Sequence, residues 1–122
     1  MADKIQSFRD LKTWQEAQEQ AVLVYAVTKR FPDDERFGLT NQLRRAAVSV
    51  GSNIAEGFSR QTLKEKTQFY HIAKGSITEV ESQIDLAHRI GYLSQTELAM
   101  LTDKIENAGK LLTALIRNIP MR

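Results

Sequence analysis

The chain has 122 residues, 42% of them hydrophobic and 26% charged, with a net charge of +2 and no cysteine. That length fits one domain with its own core, and the missing cysteines exclude disulfides, thiolate nucleophiles and cysteine-based metal sites. No run of about 18 apolar residues marks a membrane span, and the N-terminus lacks the apolar core of a signal peptide, so a cytoplasmic protein without a membrane partner is expected.

Only two prolines and six glycines interrupt the chain, which leaves room for long helices. Ser7 or Asp10 can cap the first, each offering a side-chain oxygen to free backbone N–H groups. Leu11, Trp14, Ala17, Ala21, Val24 and Phe31 then recur at steps of three, four or seven, the period of one helix face, and Val22 and Tyr25 widen it. Pro32 disfavours helical geometry at Phe31. The first helix therefore spans about residues 10–31.

A second helix is expected over about residues 36–56. Its apolar stripe is Leu39, Leu43, Ala46 or Ala47, Val50 and Ile54, with Gly57 placed to take the left-handed conformation that closes a helix. Val48 falls on the outward side, near Arg45, Asn41 and Ser52. Around it Ala46, Ala47, Ser49, Gly51 and Ser52 are small enough to let another backbone approach. A mid-helix glycine costs about 1 kcal/mol relative to alanine; at Gly51 that points to a bend, a close packing partner or plain tolerance.

Thr62 and Glu65 form a capping box that opens a third helix over about residues 62–90. Its seam, Ala73, Ile77, Val80, Ile84 and Ala87, steps four, three, four, three, as in a bundle. Gly91 stops it in a Schellman-type ending with Tyr92. Ser94 and Glu97 make a second capping box, and Leu98, Leu101, Ile105, Ala108, Leu112, Leu115 and Ile119 carry a heptad through a fourth helix, about residues 94–118. Leu111 and Ile116 broaden that stripe beyond what a monomer needs to bury. Together with Val48, Gly51 and Ser52 they are candidates for a subunit interface. Residues 1–122 thus read as one all-α domain, an antiparallel up-down-up-down four-helix bundle joined by short connections.

Catalytic chemistry is hard to find. Asp85 and His88 match half of a di-iron carboxylate site, but there is no second copy of that motif, so no metal is expected. His71 has no carboxylate at helical spacing, nothing local activates Ser49 or Ser52, and no glycine-rich phosphate loop is present. No cofactor and no enzymatic activity are expected. The charge distribution is more informative: residues 36–74 hold seven Lys/Arg against two Asp/Glu. Arg44 and Arg45 on the second helix, with Arg60, Lys64, Lys66 and Lys74 beyond it, are candidates for a phosphate-binding surface. Phe58 and Tyr70 are available either to stack on unpaired bases or to fill the core. Glu56, unfavourable near a helix C-terminus, is explained by pairing with Arg60, and Gln42, Ser49 and Asn53 by interhelical hydrogen bonds.

Several segments resemble one family: FRDLKTW from Phe8, Phe31-Pro32, LTNQLRRAAVSV from Leu39, SNIAEGFSR from Ser52, and GYL from Gly91. They are similar to the bacterial four-helix-bundle proteins also called 23S rRNA intervening-sequence proteins, over nearly the whole chain. One departure stands out, since the family usually has proline where this chain has Gly51. The resemblance implies a bundle that assembles into a ring-like homopentamer, akin in fold to the accessory proteins of diversity-generating retroelements, which engage nucleic acid and a reverse transcriptase. It brings no catalytic residue. Two functions follow as expectations: binding of structured RNA or an RNA-containing complex through the basic residues, or a protein–protein adaptor in which the arginines serve subunit contacts.

Overall fold

The computed structural model describes residues 4–119. Four helices follow one another: α1 (Lys12–Thr28), α2 (Leu39–Ser59), α3 (Leu63–Arg89) and α4 (Gln95–Arg117), with single 3-10 turns at Phe8–Asp10 and Asp33–Glu35. Each helix packs on two neighbours in the cycle α1, α2, α3, α4, and among the described residues the diagonal pairs make no contact. Connections of ten, three and five residues between successive helices make that cycle the antiparallel bundle.

Both later helices are capped at the expected residues. Ser94 Oγ accepts the Glu97 N–H at 3.1 Å, and the Glu97 carboxylate accepts the Ser94 N–H at 2.9 Å, which completes the box. Thr62 Oγ1 accepts the Glu65 N–H at 3.1 Å, but there the glutamate meets the threonine hydroxyl, at 3.0 Å, in place of its backbone N–H. The Schellman ending also forms: Gly91 has φ +89°, and the Tyr92 N–H donates to the Ala87 carbonyl at 2.8 Å. The Tyr92 ring then packs on Phe31, 5.2 Å between centroids, and its hydroxyl donates to Glu35 at 2.8 Å, a bond that raises the phenol's pKa. Phe31 is buried, and reaching that position takes it out of α1, which ends at Thr28 instead of about residue 31. The Ser7–Asp10 box closes the first 3-10 turn, not α1.

The seams of α2 and α3 are buried as the spacing predicts, and on α4 Leu101, Ile105, Ala108 and Leu112 are buried while Leu98, Leu115 and Ile119 pack half-buried against the core. On α1 the expected face is corrected. Val22 is 69% exposed and Tyr25 42% exposed, while Thr13, Glu16, Gln20 and Thr28 are buried. The buried line steps through Ala17, Gln20, Val24 and Val27, so a polar residue occupies a seam position. Gln20 can be there because its amide nitrogen donates to the Ala47 carbonyl of α2 at 2.7 Å and to Ala17 at 3.0 Å, which satisfies the donor half of a group that would be costly to bury alone; its Oε1 has no partner among the described residues. Buried Glu16 lies 3.9 Å from Lys104 of α4. The same lysine bonds Glu19 at 2.7 Å, and this bond draws the Glu19 carboxyl below its usual range and lifts the Lys104 ammonium.

Two glycines of α2 set how closely its neighbours approach. Gly51 is buried inside the bundle: a Cβ there would lie 2.7 Å from the Gln18 Oε1 and 3.7 Å from the Ala17 Cβ of α1. α1 packs beside it at ordinary contact distance, with only the movable end of the Gln18 side chain in the way, and α2 runs through Gly51 as continuous helix. Gly57 does not close the helix. It is buried and helical, and α2 continues to Ser59, because the Tyr70 ring of α3 lies where a side chain at 57 would be. A Cβ there would sit 2.7 Å from Tyr70 Cδ1 and 3.3 Å from the Lys66 carbonyl oxygen. The start of α2 is also later than expected, at Leu39, whose N–H donates to the Glu35 carboxylate at 3.1 Å.

Gly75 of α3 is the counterpart, exposed and helical, with open space for 4 Å around the point a Cβ would occupy. Gly57→Ala is expected to lower stability by about 1–3 kcal/mol, the range for overpacking. Gly75→Ala should raise it by up to about 1 kcal/mol through helix propensity alone. Urea denaturation of both variants checks the pair of opposite signs.

Candidate nucleic-acid interface

The bundle redistributes the basic residues of the middle segment. Arg44 and Arg60 sit about 24 Å apart along α2 at the standard rise per residue, so they belong to opposite ends of the molecule. Arg44 is half-buried and bound into the α1–α2 joint. Its Nε donates to Thr28 Oγ1 at 2.8 Å, and its guanidinium lies 4.6 Å from the centroid of the Tyr25 ring. Thr28 in turn donates to the Val24 carbonyl at 2.7 Å. Arg45, one residue on, is exposed and has no partner among the described residues.

At the far end of α2 the cations finish the helix. Arg60 Nη2 donates to Glu56 at 2.9 Å, and the guanidinium stacks on Phe69 at 4.7 Å. Lys66 Nζ donates to the carbonyls of Phe58 at 2.7 Å and Gly57 at 3.4 Å. A cation on these last-turn carbonyls suits the negative end of the helix. Lys64 is exposed on the outer side of α3, and Lys74 lies along the groove between α3 and α4, where Lys110 and Arg117 join it. The six predicted residues are therefore not one surface. Arg44 and Arg45 belong to one end, Arg60, Lys64 and Lys66 to the other, and Lys74 to a side groove nearer that second end.

The antiparallel topology assembles a different basic region. Halving each helix, the end that holds the α2–α3 turn (residues 4–20, 50–76 and 107–119) carries nine Lys/Arg and five Asp/Glu. The opposite half (residues 21–49 and 77–106) carries seven and nine. Lys110 and Arg117, remote in sequence from the middle segment, contribute to the basic end and escape a segment-by-segment charge count. Lys64, Lys74, Lys110 and Arg117 are all exposed there, with no hydrogen-bond or ion-pair partner among the described residues. Glu81 and Glu106 line the same side groove.

That end also holds a cleft of about 770 Å³, between the α2–α3 turn, the C-terminal end of α4 and the segment before α1. Arg60 and Lys66 line it with Phe58, Leu63, Leu115 and Ile119, and no carboxylate among the described residues does. Tyr70 forms its floor but is 2% exposed, which makes it core and removes it as a base-stacking platform. Burial pushes the Tyr70 phenol up to about 12.

On α2 the polar series makes an interhelical contact only at Ser49, whose Oγ is 2.7 Å from Ser76 Oγ of α3; Asn53 Nδ2 donates to Ser49 Oγ of its own helix at 2.9 Å. Gln42 is exposed. Of the candidate interface residues, Val48 and Ser52 are exposed, Leu111 and Ile116 half-buried, and Gly51 faces α1. Val48 shares a groove of about 470 Å³ with Val22, Tyr25 and Ala26 of α1. His88 is half-buried, and its sequence neighbour Asp85 is paired with Arg89 at 2.7 Å. Among the described residues no group of three or more His, Asp or Glu could hold a metal ion.

The model of the 23S rRNA-intervening sequence protein family matches residues 9–114. A crystal structure of a protein of unknown function from the S23 ribosomal protein family of Bacteroides thetaiotaomicron is similar with a TM-score of 0.80 and 22% identity, covering 87% of this chain and 99% of that one. At that identity the likeness is one of fold. No curated protein matches the chain.

Two expectations separate the roles of these residues. Arg44→Ala should cost about 1–2 kcal/mol, since it breaks a charged hydrogen bond and a cation–π contact, whereas Arg45→Ala should stay within about 0.5 kcal/mol, as for an exposed substitution; chemical denaturation distinguishes them. For Tyr70 the folded state favours the neutral phenol, so its contribution is complete below pH 10 and is lost as the pH rises toward about 12. Stability measured between pH 10 and 12 should fall more steeply for the parent chain than for Tyr70→Phe.

Proposed function

The chain belongs to the 23S rRNA-intervening sequence protein family, and from that premise we propose that it is a non-enzymatic, cytoplasmic bundle protein that binds structured RNA through its basic end. The observation that carries this reading is the set of exposed cations Lys64, Lys74, Lys110 and Arg117, unpartnered among the described residues and gathered at one end from two helices. Cations without a protein partner are the ones free to displace counterions from a phosphate backbone. Arg45 is the remaining candidate on the opposite half. Arg44, Arg60 and Lys66 act mainly within the fold, although their charge adds to the local field. No described helix is long and apolar enough to cross a membrane.

A second reading, an oligomeric adaptor for a polymerase or another enzyme, has its own support. Val22, Tyr25 and Val48 expose apolar surface side by side across α1 and α2, and such a patch favours a protein contact. The two readings are compatible if a homopentamer, which the family resemblance implies, uses the α1–α2 face for subunits and leaves the basic end for RNA.

Binding to 23S rRNA fragments across a salt series tests the first reading. Lys64→Glu/Lys74→Glu/Lys110→Glu should weaken binding and reduce the slope of log affinity on log salt, by about one for each phosphate no longer neutralised. Affinity indifferent to salt and to the triple reversal would remove the RNA reading. Light scattering on Val22→Glu/Val48→Glu addresses the second: the assembly should dissociate, and an unchanged mass would exclude that face as the subunit contact.

A further inference from the structure

We propose that the cleft at the basic end is a binding site for a single unpaired nucleotide, its phosphate on Arg60 and its base between the apolar walls. The inference deepens the RNA reading and rests on it for the source of the nucleotide. Four observations lead there. The volume, about 770 Å³, lies within the range of about 300–1,000 Å³ typical of small-ligand sites. Among the described residues the lining contains two cations, Arg60 and Lys66, and no carboxylate; Glu56, which holds Arg60 Nη2, is not part of the wall. Arg60 Nε has no hydrogen-bond partner among the described residues, which leaves one donor of the guanidinium unsatisfied beside the Nη2 that Glu56 holds. A phosphate oxygen suits that planar donor.

The remainder of the lining selects a heterocycle over an acyl chain. Leu63, Leu115 and Ile119 offer flat apolar contact to a ring, and Gln61 and Asn118 bring amide groups into the same cleft. Asn118 Nδ2 is committed to the Ala114 carbonyl at 2.8 Å, but its oxygen is free among the described residues, as is the Gln61 amide. An acyl chain would lay hydrocarbon against those polar groups, at a cost. A base edge would pair with them. The cleft shares its end of the bundle with Lys64 and Arg117, so a nucleotide seated in it would bring its flanking phosphates toward further cations.

The test is a titration of the whole chain with adenosine and uridine 5′-monophosphates, followed by amide chemical shifts, with adenosine and inorganic phosphate as separate arms. The nucleotides should bind at least tenfold more tightly than either fragment. Arg60→Gln should weaken them at least tenfold, and Asn118→Trp, which fills the cleft from its rim and leaves the Glu56–Arg60 pair in place, should abolish them. Phosphate binding as tightly as nucleotide, an unaltered affinity in Asn118→Trp, or no shift with any probe would overturn the inference. An Asn118→Trp protein that loses the nucleotides yet keeps full affinity for rRNA fragments would uphold the cleft as a nucleotide site, leave the RNA reading standing and remove rRNA as the source of the nucleotide. Nucleotide binding by a chain that ignores rRNA at every salt concentration would overturn the RNA reading and leave the cleft as a nucleotide site.

Discussion

The contact between Gly57 and the ring of Tyr70 is the constraint on which the functional end depends. A glycine inside a helix sacrifices about 1 kcal/mol of helix propensity, and here it lets a large aromatic side chain lie against the α2 backbone. With Tyr70 seated there, α2 stays helical through Ser59. Three residues then suffice to turn into α3. Lys66, one turn before Tyr70, is brought over the last carbonyls of α2. On the opposite flank Gly51 faces Ala17 and the end of the Gln18 side chain on α1, a looser approach. A helix with one small position turned to each neighbour can be approached from both sides without opening voids in a densely packed interior.

Polar groups give this core its register. Gln20 reaches the Ala47 carbonyl from α1, Ser76 meets Ser49 from α3, and Thr28 receives Arg44. Each bond joins two helices, and a shift of either helix along its axis would strand a buried donor or acceptor. Apolar seams alone tolerate sliding far better. Ion pairs between α4 and α1, at Lys104–Glu19 and Arg30–Glu97, lie at the surface and contribute little by comparison.

The electrostatic character follows from which cations this scaffold consumes. Arg44, Arg60 and Lys66 are held by hydroxyl, carboxylate and carbonyl partners that belong to helix ends and joints. Lys64, Lys74, Lys110 and Arg117 have no such role. The antiparallel arrangement places the start of α3 beside the end of α4, so charges far apart in the chain share one region of surface. The apolar patch of Val22, Tyr25 and Val48 lies on the α1–α2 face, distinct from the groove between α3 and α4. A surface divided in this way lets one face serve protein contacts while another keeps its charge for an anion.

The all-α class, the number and order of helices, the seams of α2 to α4, both later N-terminal caps and the Gly91 ending are legible in the sequence. They depend on contacts within a few residues along the chain, and hydrophobic period and cap chemistry report such contacts directly. The family is legible as well, through segments such as LTNQLRRAAVSV. The face of α1 is not, because Gln20 and Glu16 are buried for the sake of partners on other helices, and an apolar count assigns them to solvent. Gly57 reads as a helix stop until Tyr70 is seen against it. The same holds for the basic residues: a run of positive charge along the chain says nothing of which side chains the fold will use for itself. Partnering across helices is a property of three-dimensional packing, and only that packing separated the arginines that hold the bundle together from the lysines left to meet something else.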